Sequence, residues 1–274
     1  MQPRNLDDKK KKLAEILASM GRVAVAFSGG VDSAFLLKSA YDVLGENAIA
    51  FLGSGPIFPE HETLFAREFA KGIGVLLVEI DVAVHEAETF AANPPNRCYG
   101  CKRAIFEQVI KKAELHGISV VIEGGHLDDE TDYRPGKIAL QELGVTSPLA
   151  DAGFTKAEIR AASKELGLPS FDRPSLACLA SRFPYGTRIT IRRLQQVAQV
   201  EQALRDLGFA QVRARYHQDV ARIEAPPDAL EKMMDAQVRK QVIAACKMAG
   251  FAYAALDLEG YRTGSLNEVL KNKE

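Results

Sequence analysis

Two hydrophobic patterns alternate along the first half of the chain. Short, nearly continuous apolar runs rich in Val and Ile occur at RVAVAFS (22–28), AIAFLGS (48–54), VLLVEI (75–80) and VVIEGG (120–125). Between them lie stretches whose apolar positions recur every three or four residues, such as KRAIFEQVIKKAEL (102–115), with Ile105, Val109 and Ile110 on one face. The runs predict strands buried on both sides, and the periodic stretches predict the helices that bury them. The fold class that follows is α/β, a parallel sheet with helices on both faces. Near the amino terminus Leu13, Ile16, Leu17 and Met20 form the apolar side of a first helix, with the run of lysines at 9–12 read as its solvated face.

From about residue 186 the pattern changes. TRITI (187–191) predicts a strand, and RRLQQVAQVEQALRDLG (192–208) a helix with Leu194, Val197, Val200, Leu204 and Leu207 spaced by three or four. AQVRARYH (210–217) and VARIEA (220–225) predict two strands, residues 228–249 a second helix and AYAALDL (252–258) a closing strand. This order reads as a smaller α+β domain. The expected boundaries are 1–185 for the first domain and 186–274 for the second, the latter serving substrate binding or oligomerisation.

Composition narrows the function classes. A chain of 274 residues with 47% hydrophobic content has the material for one large domain or two smaller ones. A net charge of −1 gives no general electrostatic reason to bind nucleic acid. No charge-free apolar stretch approaches the ~18 residues of a membrane span, and no signal-type run follows the lysines, so the expectation is a cytoplasmic protein without a membrane partner. In that compartment the four cysteines are read as thiols, metal ligands or catalytic groups rather than disulfides.

Candidate chemistry begins where the first apolar run ends, at SGGVDS (28–33). Gly29 and Gly30 permit positive φ and close backbone approach, a helix starting near Val31 offers free N–H groups, and Ser28 and Ser33 add hydroxyls. Such a turn cradles a pyrophosphate. Asp32 would repel phosphate unless a divalent cation lay between them, which brings in Mg²⁺. The pattern is neither a Walker A loop nor G-x-G-x-x-G.

A second constellation is built on sulfur. NRCYGCK (96–102) places Cys98 and Cys101 in a Cys-x-x-Cys pair, Cys178 lies far along the chain, and Cys246 sits in the apolar stretch VIAACKMAG (242–250) as a core residue. Four thiolates suit zinc, whereas three leave one corner of a [4Fe–4S] cube open to an outside ligand such as sulfide. Arg213 and Arg215 alternate and so share one face of a strand, either as an exposed polar pair or as two forks for one phosphate.

SGGVDS matches every fixed place of the SGGxDS signature and resembles the PP-loop ATP pyrophosphatases. SPLADAGFTKAEIRAASKELGLP (147–169) is similar to a later segment of that family, in which a lysine, here Lys156, meets the departing pyrophosphate. DYRPG (132–136), SLACLASRFPYGT (175–187), VRARYH (212–217), ARIE (221–224) and GYRTGSLNE (260–268) together resemble the LarE family over nearly the whole chain. The resemblance implies cleavage of ATP to AMP and pyrophosphate, a carboxylate activated as its adenylate, and sulfur insertion. The substrate it implies is the small-molecule nucleotide pyridinium-3,5-biscarboxylic acid mononucleotide, on the way to the nickel-pincer cofactor of lactate racemase. It implies a homo-oligomer, trimeric or hexameric, with ATP, Mg²⁺ and a [4Fe–4S] cluster as cofactors.

Within that family sulfur comes either from a cluster held by three cysteines or from one sacrificial cysteine. Cysteines at all three places favour the cluster, with Cys98, Cys101 and Cys178 as ligands. The alternative makes Cys178 the donor and leaves Cys98 and Cys101 a zinc or redox role. By the same resemblance Ser28, Gly29, Gly30, Asp32, Ser33 and Lys156 bind ATP and pyrophosphate, and Ser181, Arg182, Glu201, Arg213 and Arg215 bind substrate. One of Asp128, Asp129 and Asp132 assists Mg²⁺. A tRNA-thiolating PP-loop enzyme is the rival reading, against which the near-neutral charge counts.

Overall fold

The structure is a computed structural model that describes residues 5–130, 135–174, 178–262, 265 and 268; Asp132 lies outside these. The chain divides into two compact units, one of residues 1–84 and 96–176 and one of residues 85–95 and 177–274.

In chain order, α1 (Leu6–Met20), β1 (Val23–Phe27), α2 (Val31–Leu44), β2 (Ala48–Ser54), α3 (Glu60–Ile73) and β3 (Leu77–Asp81) open the first unit. After α4 (Glu88–Ala91), which belongs to the second unit, the first resumes with α5 (Arg97–Leu115), β4 (Val120–Ile122), α6 (Pro135–Glu142), α7 (Pro148–Ala152) and α8 (Lys156–Glu165). The four strands form a parallel sheet in the order β3-β2-β1-β4, with Val23 opposite both Ala48 and Val120. Each apolar run therefore became a strand. Val23, Val25 and Phe27 pack with Leu13 and Leu17 of α1, Leu36 and Leu37 of α2 and Ile159 of α8 in one buried cluster. Successive strand residues face opposite sides, and on the other side Phe51 meets His116 at the end of α5, ring centroids 5.9 Å apart. On α5 the buried apolar positions are Phe106, Val109 and Ala113, while Ile105 and Ile110 are half-buried.

The lysine run differs from expectation. Lys9 reaches both carboxylate oxygens of Glu158 at 2.7 Å, Lys10 binds Glu165, and Lys12 donates to the Asp151 carbonyl, leaving Lys11 exposed. Three of the four lysines thus grip α7 and α8 rather than face water. The carboxylates that attract them lie about 150 residues away, beyond the reach of a local pattern.

The second unit continues with α9 (Ile191–Asp206), β5 (Arg213–His217), β6 (Val220–Glu224), α10 (Pro227–Met233), α11 (Ala236–Met248) and β7 (Tyr253–Leu256). Its sheet has the order β5-β6-β7, antiparallel between β5 and β6 and parallel between β6 and β7. TRITI is not a strand. Thr190 caps α9 by accepting the Arg193 N–H at 3.3 Å, Ile189 N–H donates to the Ala91 carbonyl at 2.8 Å, and the Thr187 carbonyl is taken by Asn93 at 3.1 Å, so this backbone is committed elsewhere. The helix expected over 228–249 is two helices, because Asp235 accepts the N–H groups of Gln237 and Val238 and starts α11 afresh.

Asn93 fastens residues 85–95 into this unit. Fully buried, with φ +54, it donates its amide to the carbonyls of Phe183 (3.3 Å), Pro184 (2.8 Å) and Thr187 (3.1 Å). Alanine would leave these acceptors without that donor and keep a left-handed backbone, at a cost of about 2–4 kcal/mol. Urea denaturation of Asn93→Ala is expected to show that loss, with part of it recovered in Asn93→Gly. Among the described residues no helix is long and apolar enough to cross a membrane.

Candidate active site

The cradle forms where β1 hands over to α2. Gly29 has φ +78, and a Cβ there would lie 3.2 Å from the Ala66 Cβ, so the turn requires glycine both for backbone and for space. The Ser28 and Ser33 hydroxyls lie 3.0 Å apart, and the Ser33 hydroxyl donates to the Gly30 carbonyl at 3.2 Å, while Gly30 precedes α2 in extended conformation. This leaves the first-turn N–H groups of α2 at the carboxyl edge of the sheet. The end of β4 closes on the same turn. A Cβ on Gly124 would stand 2.9 Å from the Ser33 nitrogen and 3.1 Å from the Asp32 carbonyl carbon.

Lys156 and Asp32, 124 residues apart, are brought together, Lys156 Nζ donating to Asp32 Oδ2. The other carboxylate oxygen of Asp32 is buried without a hydrogen-bond partner. Lys156 also donates its backbone N–H to Asp128 Oδ2 at 2.8 Å. Asp129 accepts the His126 N–H at 3.2 Å, and the His126 ring lies 3.8 Å from Asp128 and 3.7 Å from Asp129. Asp128 thus lies beside Lys156, with Asp129 next to it around His126.

Cys98 and Cys101 sit one turn apart in the first turn of α5, the first exposed and the second half-buried. Tyr99 between them donates to Glu142 of α6 at 2.6 Å, and Arg103 reaches the same oxygen at 2.9 Å. Cys178 belongs to the second unit and immediately precedes a 3₁₀ turn at Leu179–Arg182. Its carbonyl accepts the Ser181 N–H (3.0 Å), the Ser181 hydroxyl (2.8 Å) and Arg182 Nη1 (3.1 Å). None of the four cysteines is in a disulfide. Cys246 is a core residue whose thiol burial pushes up to about 11. Among the described residues, no three His, Cys, Asp or Glu side chains stand close enough to hold a metal ion.

The remaining candidates form a buried ionic cluster in the second unit. Arg182 binds Glu201 through two parallel bonds, Nε to Oε1 at 2.7 Å and Nη2 to Oε2 at 2.9 Å, and Glu201 also accepts the Ala214 N–H at 3.0 Å. Both side chains are essentially fully buried. Burial alone would push the Glu201 carboxyl up, but the Arg182 guanidinium more than offsets this and holds it below the usual carboxylate range. Arg215 makes a matching fork to Glu224 at 2.9 and 2.7 Å, and donates to the Ser181 carbonyl at 2.6 Å and the Ser265 hydroxyl at 3.1 Å. Arg213 lies 5.3 Å over the Tyr261 ring and donates to the Val212 carbonyl at 2.8 Å. Burial, with the charge of Arg182 nearby, pushes its guanidinium down from the ordinary value. Among the described residues three buried guanidiniums thus gather around two buried carboxylates, which Arg205 (3.7 Å from Glu201) and Arg222 (3.1 Å from Glu224) also approach. Glu224 and Tyr261 were not singled out in the sequence, although both stand inside motifs read there.

Family models find no match to this chain. An uncharacterised protein of Synechocystis sp. is 41% identical over 97% of this chain and 99% of its own. The pyridinium-3,5-bisthiocarboxylic acid mononucleotide synthase of Lactiplantibacillus plantarum is 36% identical over 97% of this chain and 96% of its own. A tRNA-specific 2-thiouridylase of Desulforamulus reducens is 28% identical over only 58% of this chain and 54% of its own. Likeness over nearly the whole of both chains decides the class: the chain belongs to the LarE family of PP-loop enzymes, ATP-dependent sulfurtransferases that include the L. plantarum synthase.

Proposed function

We propose that the protein inserts sulfur into pyridinium-3,5-biscarboxylic acid mononucleotide, consuming ATP and releasing AMP and pyrophosphate, in the biosynthesis of the nickel-pincer nucleotide of lactate racemase. The observation that carries this reading is the likeness to the named synthase along 97% of the chain, second unit included. The tRNA-thiolating alternative loses ground because likeness to those enzymes covers little more than half of the chain.

In this reading the N–H groups after Gly29 hold the ATP phosphates, and Asp32 holds Mg²⁺ with its unpartnered buried oxygen, a fit for a hard cation. A substrate carboxylate attacks the α-phosphorus, pyrophosphate leaves, and Lys156 turns from Asp32 to meet its charge. Arg213 and Arg215, two buried guanidiniums on one strand, hold the nucleotide phosphate. Arg182, anchored on Glu201, holds the Cys178 carbonyl and the Ser181 hydroxyl in place. Self-association as a trimer or hexamer is part of the same reading, on the ground of the family resemblance alone.

Cys98, Cys101 and Cys178 supply thiols of the right chemistry for the protein side of a [4Fe–4S] site and would hold that cluster, although no three such side chains stand together among the described residues. When bound, it supplies sulfide for insertion without consuming the polypeptide. A second reading is favoured by the position of Cys178 in the same unit as the arginine cluster. Its thiolate attacks the acyl-adenylate and AMP departs; loss of the Cα proton then breaks the Cβ–S bond, leaving a thiocarboxylate on the product and dehydroalanine in the chain.

Anaerobic reconstitution with iron and sulfide tests these readings. The cluster reading expects about four irons per chain and its visible and EPR spectra in wild type, lost in Cys98→Ala, Cys101→Ala and Cys178→Ala alike. A chain without iron that loses the mass of H₂S at Cys178 during turnover would select the second reading. No thiocarboxylate product by mass spectrometry in either case would remove both.

A further inference from the structure

We propose that Lys9 and Glu158 are positioning residues for Lys156, so that the amino-terminal helix sets the aim of the lysine facing pyrophosphate. The inference rests on the reading of Lys156 given above. Lys156 is the first residue of α8, and its placement depends on how that helix starts. Thr155 caps α8, and the Glu158 carboxylate closes the capping box by accepting the Thr155 N–H at 2.8 Å and its hydroxyl at 2.9 Å. The same carboxylate receives Lys9 on both oxygens at 2.7 Å, with only 13% of the Lys9 side chain exposed. On the other side Asp128 takes the Lys156 N–H, and the Phe154 carbonyl takes the Leu127 N–H at 3.0 Å. Lys10 holds Glu165 at the far end of the helix.

A partly exposed ion pair of this kind adds little to global stability. Its consequence is geometric. Without Lys9 the Glu158 carboxylate gains water as a competing partner, the box loosens, and the Cα of Lys156 is no longer held from α1. Lys156 acts on the leaving group, so a small misplacement falls on the chemical step rather than on ATP binding.

Initial rates of pyrophosphate release, with ATP and the biscarboxylate mononucleotide, test this in wild type, Lys9→Met, Lys9→Arg, Glu158→Gln, Lys156→Met and the double variant Lys9→Met/Lys156→Met. Lys9→Met and Glu158→Gln are expected to lower kcat by about 5- to 20-fold with KM for ATP nearly unchanged, within the range that misplacement produces. Lys9→Arg should restore the rate. The double variant should be no slower than Lys156→Met alone, because Lys9 acts only through Lys156. Wild-type rates in Lys9→Met and Glu158→Gln alongside a slow Lys156→Met, or losses that multiply in the double variant, would overturn this inference alone. A Lys156→Met as fast as wild type would overturn the reading beneath it.

Discussion

Glu201→Ala is expected to cost about 3–5 kcal/mol of folding stability, two to nearly four orders of magnitude in the folding equilibrium. Glu201 binds Arg182 through two parallel hydrogen bonds in the buried cluster, and it also receives the Ala214 N–H. Its removal leaves the Arg182 charge buried beside Arg213 and unsatisfies a backbone donor at the start of β5. Glu201→Gln keeps an acceptor for Ala214 but not the charge, and should fall between the two. The pH dependence is signed. The carboxyl is held below its ordinary value of 4.5, so its contribution is complete above that pH and fades as pH drops through the lowered value. Urea denaturation at pH 7 and again in acid reads both; a difference between wild type and Glu201→Ala that grows in acid would exclude the ionised pair.

Nucleotide binding should weaken in Gly124→Ala, a residue that need not touch ATP. The added Cβ would sit 2.9 Å from the Ser33 nitrogen and 3.1 Å from the Asp32 carbonyl carbon, atoms of backbone that cannot rotate away. Either β4 or the first turn of α2 must move. Overpacking of this kind costs about 1–3 kcal/mol, and if the cradle yields, the loss appears as a roughly 5- to 150-fold weaker affinity for ATP. Calorimetric titration with ATP, beside a thermal midpoint, separates local from global damage. Unchanged ATP affinity would mean either that β4 gives way instead of the first turn of α2 or that the phosphates do not sit on the turn from Ser28 to Ser33.

The sheet was legible because its central strands β1 and β2 are buried on both faces and read as unbroken apolar runs, whereas the edge strand β3 exposes Glu79 and Asp81. The cradle was legible because its residues are consecutive. Contacts made by residues far apart were not. Lys9 looks solvated until Glu158 is beside it, and TRITI looks like a strand until Asn93 and Ala91 claim its backbone. Glu201 carried a signal that could have been used. It follows Val197 by four residues and precedes Leu204 by three, inside the buried stripe of α9, where an unpaired carboxylate could not persist. Arg182 was the nearby cation available to answer it. Glu224 is the same case on a strand, opposite Arg213 in the register of β5 and β6.

The membership of residues 85–95 in the second unit has a consequence for synthesis on the ribosome. A nascent chain that has finished the first three strands must carry Asn93 without its carbonyl partners until residues 183–187 have emerged. At about 5–20 residues per second that wait lasts on the order of 5–20 s. During it α5, with Cys98 and Cys101 in its first turn, is joined to a stretch that has nothing yet to dock on. The second unit therefore cannot mature as an independent late module, and a fragment begun after Cys178 would lack the piece that fastens its own first loop.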